Sequence, residues 1–192
     1  MNIFLPYEND IEKSIQCIDN KRLIKQIQEA KVLLDGAWAY EKGEVPNSYF
    51  KHPVAQHYKS EPEFLAHYGF QCCKEYWFRY NKYHQYYDYF ENLCENWYKI
   101  KDIPAFTPYY MEGSKGTLEC IRTTKYVSIL FQSKLIKKWL EDKKSPMWTN
   151  RTMPDFFAIY LRVTKSEQKT YWKNVEKIKK EVQSVNCNSD SK

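Results

Sequence analysis

The sequence predicts an all-α fold, built as one compact helical domain. Apolar residues recur three and four residues apart over residues 18–34, which is the spacing of one buried helix face. The chain has only 5 Gly, and clean alternation of apolar and polar residues is scarce, so a sheet-based fold is disfavoured. Its 192 residues are enough for one sizeable core, whereas two separate cores would be tight.

The N-terminal segment predicts a short arm followed by a long helix. The apolar arm MNIFLPY is stopped by Pro6, because proline cannot continue regular hydrogen bonding. A helix is then predicted from about Asp10 to Trp38. A loop with Gly43 and Pro46 as breakers follows it.

A second long helix is predicted to begin within SEPEF. Ser60 can cap it, Glu63 stands three residues later as in a capping box, and Pro62 is tolerated in the first turn. The helical rhythm continues to about Lys99. Nearly forty residues is long for one globular helix, so we predict a break near Asn81.

The second half of the chain alternates between loops and basic helices. Residues 102–116 predict a loop with two Pro and two Gly, and a basic helix follows at about Leu118 to Glu141. Residues 143–157 read as irregular, and residues 165–182 are rich in Lys and Glu and favour a helix. The predicted organisation is a helical domain at 1–164, with a helical extension and frayed tail at 165–192.

The net charge of +6 is unevenly distributed. Residues 1–120 carry 14 Lys and Arg against 17 Asp and Glu, whereas residues 121–180 carry 15 against 5. A polyanion such as DNA or RNA is one explanation of this basic region, and a lysine-rich solvated surface is the other.

Several classes of site and location are disfavoured. The 6 Cys show no zinc-type spacing, and Cys72 and Cys94 lie on apolar faces, so buried reduced thiols and an intracellular protein are predicted. The N-terminus lacks the pattern of a signal peptide, and no stretch has the roughly 18 apolar residues of a membrane span. Four His give no recognised ligand spacing, so we predict neither a metal nor a cofactor.

The aromatic run YHQYYDYFENLCENWY allows two interpretations. Aromatic rings stack on unpaired bases, so it could be a base-binding platform. Tyr83, Phe90 and Trp97 fit one helical stripe, which favours a core role. Tyr86 and Tyr89 fall off that stripe and are better surface candidates.

The helix over residues 18–34 also has an unusual polar face. Arg22, Lys25, Gln26 and Glu29 lie three, four and seven residues apart and therefore share one side of the helix. A single carboxylate among cations is either a solvated surface charge or a catalytic group.

The order of several motifs resembles the phage-type pyrimidine dimer DNA glycosylase/AP-lyase family, in particular its uncharacterised bacterial and viral branch. The arm FLPY and the helix DNKRLIKQ are followed by Lys51-His52-Pro53 and by SEPEFLAHY. A stretch with Tyr76, Arg79, Lys82 and His84 comes next. The later region RTTKYVSILFQSKLIKKWLEDKKSPMWTNRTMPDFF is also similar, so the resemblance covers roughly residues 1–157.

The resemblance implies a mostly helical fold with the N-terminal arm packed between helices. It also implies that the chain's α-amine attacks the sugar C1′ of a damaged nucleotide and forms a Schiff base. That amine belongs to Met1, or to Asn2 if Met1 is removed, and Lys25 is an alternative amine. The family's first-helix carboxylate falls on Glu29, one position after Gln28, where the family has a basic residue.

The resemblance and the charge pattern together give a set of candidate nucleic-acid-binding residues and a partner. Double-stranded DNA is the expected partner, with no membrane association and a monomeric protein. We expect it to act in the cytoplasm or nucleoid, or in the host cell if a virus or phage encodes it. The candidate residues are Arg22, Lys25, His52, Arg79, Lys82, Arg122, Lys125, Lys134, Lys137, Lys138 and Arg151.

The predicted function is a DNA repair-type glycosylase, with or without AP-lyase activity, acting on damaged or modified pyrimidines. One alternative is a non-catalytic helical protein of the same scaffold, perhaps viral, that binds nucleic acid or nucleotides. Another is a protein-interaction module whose basic face is only solvated.

Overall fold

The computed structural model confirms a fold dominated by helices. It describes residues 3–7, 10–45, 52–102, 109–112, 119–122 and 126–189. The helices are α1 Ile11–Gln16, α2 Asn20–Glu41, α3 Pro53–His57, α4 Pro62–Tyr80, α5 Tyr87–Asn92, α6 Val127–Glu141, α7 Asp155–Arg162 and α8 Lys165–Ser189, with a π-helical turn at Leu93–Trp97 after α5.

The predicted first helix is two helices rather than one. The chain leaves helical geometry between α1 and α2, where Asp19 adopts an extended conformation. Distant groups bind the backbone at this break. Trp148 Nε1 donates to the carbonyl of Cys17 at 2.8 Å, and the amide of Asn20 donates to the carbonyl of Met147 at 2.9 Å. These long-range hydrogen bonds replace the intrahelical ones. Because their partners are distant in the sequence, no local pattern predicts them.

The apolar stripe of α2 forms the centre of the core, as predicted. Leu23, Ile27, Ala30 and Leu34 are all fully buried. Helix α2 packs mainly against α4. The core therefore lies on one side of α2, and its polar side is left for the site described below.

The N-terminal arm packs between helices, which confirms the expectation. Ile3, Phe4 and Leu5 are buried. The ring of Phe4 meets that of Phe131 of α6 edge to face, with centroids 6.2 Å apart. Gln132 Nε2 of α6 also donates to the carbonyl of Pro6 at 2.9 Å. These contacts hold the arm across the core.

Helix α4 begins at Pro62, one residue later than the predicted cap at Ser60 implies, and without the predicted capping box. Glu61 occupies the cap position and makes no side-chain cap bond. The predicted break near Asn81 is confirmed, because Asn81 ends α4 in a left-handed conformation with φ 51°. Asparagine tolerates that conformation better than most residues.

The predicted aromatic core stripe is only partly confirmed. Phe90 and Cys94 are buried, but Tyr83 is 66% exposed and Trp97 is 58% exposed. The break after α4 and the π-helical turn shift the register, so residues of one ideal stripe no longer share a face. Tyr89, predicted at the surface, is half-buried and donates to the Asp35 carboxylate at 2.5 Å.

The predicted loop and the start of the basic helix are both revised. Residues Tyr109–Glu112 and Glu119–Arg122 form antiparallel strands β1 and β2, with Tyr109 opposite Arg122. Helix α6 begins at Val127, nine residues later than predicted. Cross-strand hydrogen bonding, which turn residues alone do not predict, accounts for the difference.

The C-terminal helix α8 contacts both α6 and β2. Val175 and Val182 of α8 are buried. The division into a domain and an extension at residue 165 stays a prediction. The segment before α7 is irregular, as predicted. Within the described residues, no helix is long and apolar enough to cross a membrane.

The prediction of buried thiols is confirmed for the described cysteines. Cys17, Cys72, Cys73 and Cys94 are free and buried. Burial raises the pKa of the Cys73 and Cys94 thiols to about 12, because a thiolate loses its hydration there. These thiols stay protonated at neutral pH and behave as small apolar groups.

Candidate active-site cleft

The polar face of α2 opens onto a cleft of about 330 Å³. Helix α2 supplies most of one wall, the N-terminal arm contributes Phe4, and the end of α6 closes the other side. The lining residues are Phe4, Lys21, Arg22, Lys25, Gln26, Glu29, Lys138 and Asp142. We call this the Glu29 cleft.

Gln26 connects the arm to the cleft. Its Oε1 accepts from the backbone amide of Phe4 at 3.0 Å and from the Tyr68 hydroxyl at 2.8 Å. Its Nε2 donates to Glu29 Oε2 at 3.1 Å. A backbone amide can only donate, so the contact with Phe4 fixes which amide atom is the oxygen. The side chain is 1% exposed, so these bonds form in a site with little water.

Glu29 lies half-buried one turn after Gln26 on the same face of α2. Lys25 and Arg22 precede it by one and two turns, and Lys138 of α6 faces the same cleft. Lys25 is exposed, and no carboxylate of the described residues forms an ion pair with it. The sequence-predicted group of Arg22, Lys25 and Glu29 is therefore brought together in one cleft.

Arg22 holds the rim of the cleft in place. Its Nη1 donates to Asp19 at 3.1 Å and to Asp142 at 2.8 Å. Lys21 donates to the other oxygen of Asp142 at 3.0 Å. The bond from Arg22 and the adjacent Lys21 lower the pKa of the Asp142 carboxyl, which stays ionised at neutral pH.

Asp19 joins this rim to the core. It is 2% exposed, and Trp139 Nε1 of α6 donates to its Oδ1 at 2.7 Å. The Trp139 ring in turn packs on Phe157 of α7, with centroids 4.8 Å apart. Helix α6 is thus positioned against the start of α2, and this brings Lys138 and Asp142 to the cleft.

Two predicted DNA-binding arginines instead belong to a buried ion-pair network. Arg79 is 2% exposed, and its Nε donates to Glu75 Oε1 at 2.8 Å. Arg151 donates to both oxygens of Glu75, at 2.9 and 2.7 Å. Arg79 also donates to Asn20 Oδ1 at 3.1 Å and to the carbonyl of Gln16 at 2.9 Å. Burial and these three hydrogen bonds place Arg79 inside the fold, which contradicts its assignment as a phosphate contact.

The remaining predicted cations lie in several places. On α6, Lys137 is exposed and Lys134 is half-buried. Lys82 is exposed in the turn between α4 and α5, and it does not line the Glu29 cleft. His52 is half-buried before α3, and burial lowers its pKa, so the ring is neutral at pH 7.

Four of the predicted site residues are not described in full. Met1, Asn2 and Lys125 lie outside the described residues. Arg122 lies in strand β2, but its side chain is outside what the structure describes. Their predicted roles stay predictions.

The sequence did not identify Tyr68 or Asp142 as part of this site. Tyr68 is fully buried and orients Gln26, and Asp142 anchors Arg22. Asp142 is 113 residues from Glu29 along the chain, so no local spacing could connect the two. For Tyr68 the sequence offered one indication, because a tyrosine on a buried helix face needs a hydrogen-bond partner for its hydroxyl.

A larger cavity of about 500 Å³ lies between α1, α4 and the segment after α4. Its walls include the exposed rings of Trp77, Phe78 and Tyr83. Its buried carboxylate, Glu75, has both oxygens bonded to arginines. The Glu29 cleft combines a bonded carboxylate, the N-terminal arm and a lysine that pairs with no described carboxylate, so we assign the candidate chemistry there.

A comparison with protein families agrees with the resemblance seen in the sequence. A family model described as pyrimidine dimer DNA glycosylase matches residues 1–88, which include the arm, α2 and Glu29. No curated protein and no solved structure matches the chain. These 88 of 192 residues are similar to the pyrimidine dimer DNA glycosylase family, as the resemblance in the sequence predicted.

Proposed function

We propose that this protein is a DNA glycosylase with AP-lyase activity on damaged or modified pyrimidines in duplex DNA, and that Glu29 is its catalytic carboxylate. The observation that carries the proposal is the Gln26 side chain, which bonds both the N-terminal arm and Glu29. It connects Phe4 of the N-terminal arm to a carboxylate, in a cleft where Lys25 pairs with no described carboxylate.

The proposed nucleophile is the α-amine at the start of the chain. Phe4 is three residues from Met1, so an extended chain carries that amine at most about 11 Å from the Phe4 nitrogen. An α-amine has an ordinary pKa near 8, compared with about 10.4 for lysine. A larger fraction is therefore neutral and nucleophilic at pH 7.

The proposed reaction has two stages. The amine nitrogen uses its lone pair to form a bond to C1′ while the glycosidic bond breaks. The electron pair of the glycosidic bond leaves with the base, which takes up a proton. Opening of the sugar ring then gives a Schiff base between the nitrogen and C1′. A base removes the C2′ proton, and the 3′ phosphate leaves with the electron pair of the C3′–O bond. We assign to Glu29 the stabilisation of the sugar cation and the proton transfers.

The cations around Glu29 are assigned to DNA binding. Lys25 and Lys138 line the cleft and can contact the phosphates on either side of the reacting nucleotide. Lys137 is exposed on the same helix as Lys138. Arg22 already donates to the carboxylates of Asp19 and Asp142, so we assign it a role in positioning the residues at the edge of the cleft.

A borohydride trap tests the proposal directly. The protein is incubated with duplexes that carry an abasic site or an ultraviolet lesion, and borohydride then reduces any Schiff base to a stable amine. We expect a covalent complex with the wild type and none with Glu29→Gln, while the Kd for the same duplex stays within a few-fold. Glu95→Gln, at an exposed carboxylate outside the cleft, is the matched control and keeps the wild-type yield.

The site of the covalent adduct distinguishes the two candidate amines. Mass spectrometry of the digested complex is expected to place the adduct on the N-terminal peptide. A protein with its α-amine acetylated should then give no complex. An adduct on the peptide that contains Lys25 would assign the nucleophile to that side chain instead, and equal loss of trapping and DNA binding in Glu29→Gln would count against a catalytic role.

A further inference from the structure

We propose that the exposed lysine face of helix α8 is a second binding site for the phosphate backbone of duplex DNA. The inference rests on the proposed function, because it takes DNA as the ligand of this protein. It concerns a helix that lies wholly outside the region matched by the family model. It therefore adds a contact that the family assignment does not supply.

Five lysines of α8 share one face of the helix. They are separated by four, four, four and three residues, which at 3.6 residues per turn keeps them within an arc of about 120°. Fifteen residues separate the first from the last, a rise of about 22 Å along the helix axis. A shallow groove on this side of α8 is bordered by all of them. The residues of this lysine face are Lys165, Lys169, Lys173, Lys177 and Lys180.

The charge of the lysine face is not neutralised within the described part of the chain. None of its five ammonium groups forms an ion pair with a described carboxylate. The nearby carboxylates are otherwise engaged, because Glu176 accepts from Lys179 at 3.0 Å and Glu167 accepts from Thr164 Oγ1 at 2.7 Å. The groove next to α8 therefore presents concentrated positive charge.

This concentration of charge costs helix stability. Like charges one turn apart repel by roughly 0.2–0.5 kcal/mol per pair, and the lysine face contains a continuous series of such pairs. A ligand that carries regularly spaced negative charge would relieve this repulsion. The phosphate backbone of DNA has that property, because its charges repeat along the whole length of the duplex.

Helix α8 is held rigidly enough to present this face. Val175 and Val182 are buried on the opposite side. Trp172 Nε1 donates to the Tyr160 hydroxyl of α7 at 3.0 Å, and Gln168 Nε2 donates to the carbonyl of Tyr160 at 3.1 Å. These contacts fix the rotation of α8, so the five residues of the lysine face point away from the core.

Duplex DNA fits this face better than an acidic protein. Among the described side chains of α8 no large hydrophobic one is exposed, and the rings of Tyr160 and Trp172 that line the groove are buried and half-buried, whereas a protein interface needs exposed apolar anchors. Lysines act as point-charge partners of phosphate and need no shaped apolar pocket. The length of about 22 Å corresponds to about six base pairs at 3.4 Å of rise each.

Salt-dependent binding tests the inference with two variants of equal charge. The first combines Lys169→Gln, Lys173→Gln and Lys177→Gln. The control combines Lys59→Gln, Lys99→Gln and Lys101→Gln, at exposed lysines away from both α8 and the Glu29 cleft. The Kd of each protein for an undamaged 30-base-pair duplex is measured from 50 to 200 mM salt. Circular dichroism melting confirms that both variants fold.

We expect the α8 variant to bind about tenfold more weakly, with a salt slope smaller by about 2–3 because each phosphate contact contributes about 0.9. The salt slope of the control should stay within about 0.9 of the wild-type slope, which is the contribution of one phosphate contact. Equal slopes in the two variants would overturn the inference. So would an α8 variant that binds the duplex normally and loses affinity only for polyglutamate.

The outcome is separable from that of the proposed function. The α8 variant retains the Glu29 cleft, so we expect wild-type borohydride trapping at saturating abasic duplex. Failure of trapping in the wild type would remove the glycosylase proposal and leave the salt result unchanged. Normal trapping together with equal salt slopes would remove only the α8 site.

Discussion

Gln26 donates a hydrogen bond of 3.1 Å to Glu29, while its carbonyl oxygen accepts from the backbone amide of Phe4 at 3.0 Å. One buried side chain therefore sets the position of both the N-terminal arm and the candidate catalytic carboxylate. The Tyr68 hydroxyl, 2.8 Å from the same oxygen, completes its hydrogen bonding from the core side.

Replacement of Gln26 should affect stability and chemistry together. Gln26→Ala leaves the Phe4 amide and the Tyr68 hydroxyl without this buried partner, which costs about 1–3 kcal/mol of unfolding free energy. Denaturant unfolding measures the loss, and the borohydride yield should fall with it. Gln28→Ala, at an exposed position of the same helix, is the control and should change neither.

The buried network around Glu75 should be sensitive to loss of Arg79. Arg79→Met leaves Glu75 with Arg151 alone in a site with little water, and removing one partner of a buried pair costs about 3–5 kcal/mol. Chemical denaturation of the purified variant provides the value. A change below about 1 kcal/mol would show that Arg151 alone satisfies the carboxylate.

The salt slope of DNA binding should separate paired cations from unpaired ones. Lys25→Gln removes a cation of the cleft and should reduce the slope by about 0.9. Arg151→Gln should leave the slope unchanged, because that guanidinium already donates to both oxygens of Glu75. A reduced salt slope in Arg151→Gln together with an unchanged slope in Lys25→Gln would instead place Arg151 on the DNA-binding surface.

Asp142 should add a pH-dependent contribution to stability. The bonds from Arg22 and Lys21 lower its pKa in the folded state. A carboxyl of this kind stabilises the fold above its unfolded pKa, near 3.9, and loses that contribution as the pH falls through its folded pKa. The difference in unfolding free energy between wild type and Asp142→Asn should therefore shrink between pH 6 and pH 3. A constant difference over that range would contradict the assignment.

Gly69 marks the closest approach of α4 to α5. A Cβ at this position would overlap the ring of Phe90, which is fully buried. Gly69→Ala should destabilise the protein by about 1–3 kcal/mol through overpacking. In a double-mutant cycle with Phe90→Leu, the cost of the alanine should be smaller, because the shorter side chain leaves room.

The sequence by itself determined the helical class, the buried stripe of α2 and the break at Asn81. Each depends on residues close together in the chain, namely the apolar spacing around Ile27 and the tolerance of asparagine for a left-handed conformation. The same spacing placed Arg22, Lys25 and Glu29 on one face, and the structure keeps them in one cleft. The ordered motifs of the first 88 residues also carried the resemblance to the family whose model matches them.

Tertiary structure decided which of the charged residues remain available for a ligand. Local spacing gives Arg79 and Lys25 the same apparent role. In the structure Arg79 donates to Glu75 and to the carbonyl of Gln16, whereas Lys25 is exposed. The cleft itself is completed by Asp142, which accepts from Arg22 of α2 at the end of α6, where Trp139 also bonds to Asp19. Buried polar groups must be satisfied by whatever partner packing brings near, and such partners are distant in sequence. For that reason the faces of the helices followed from the sequence, whereas the composition of the site followed from how those helices pack.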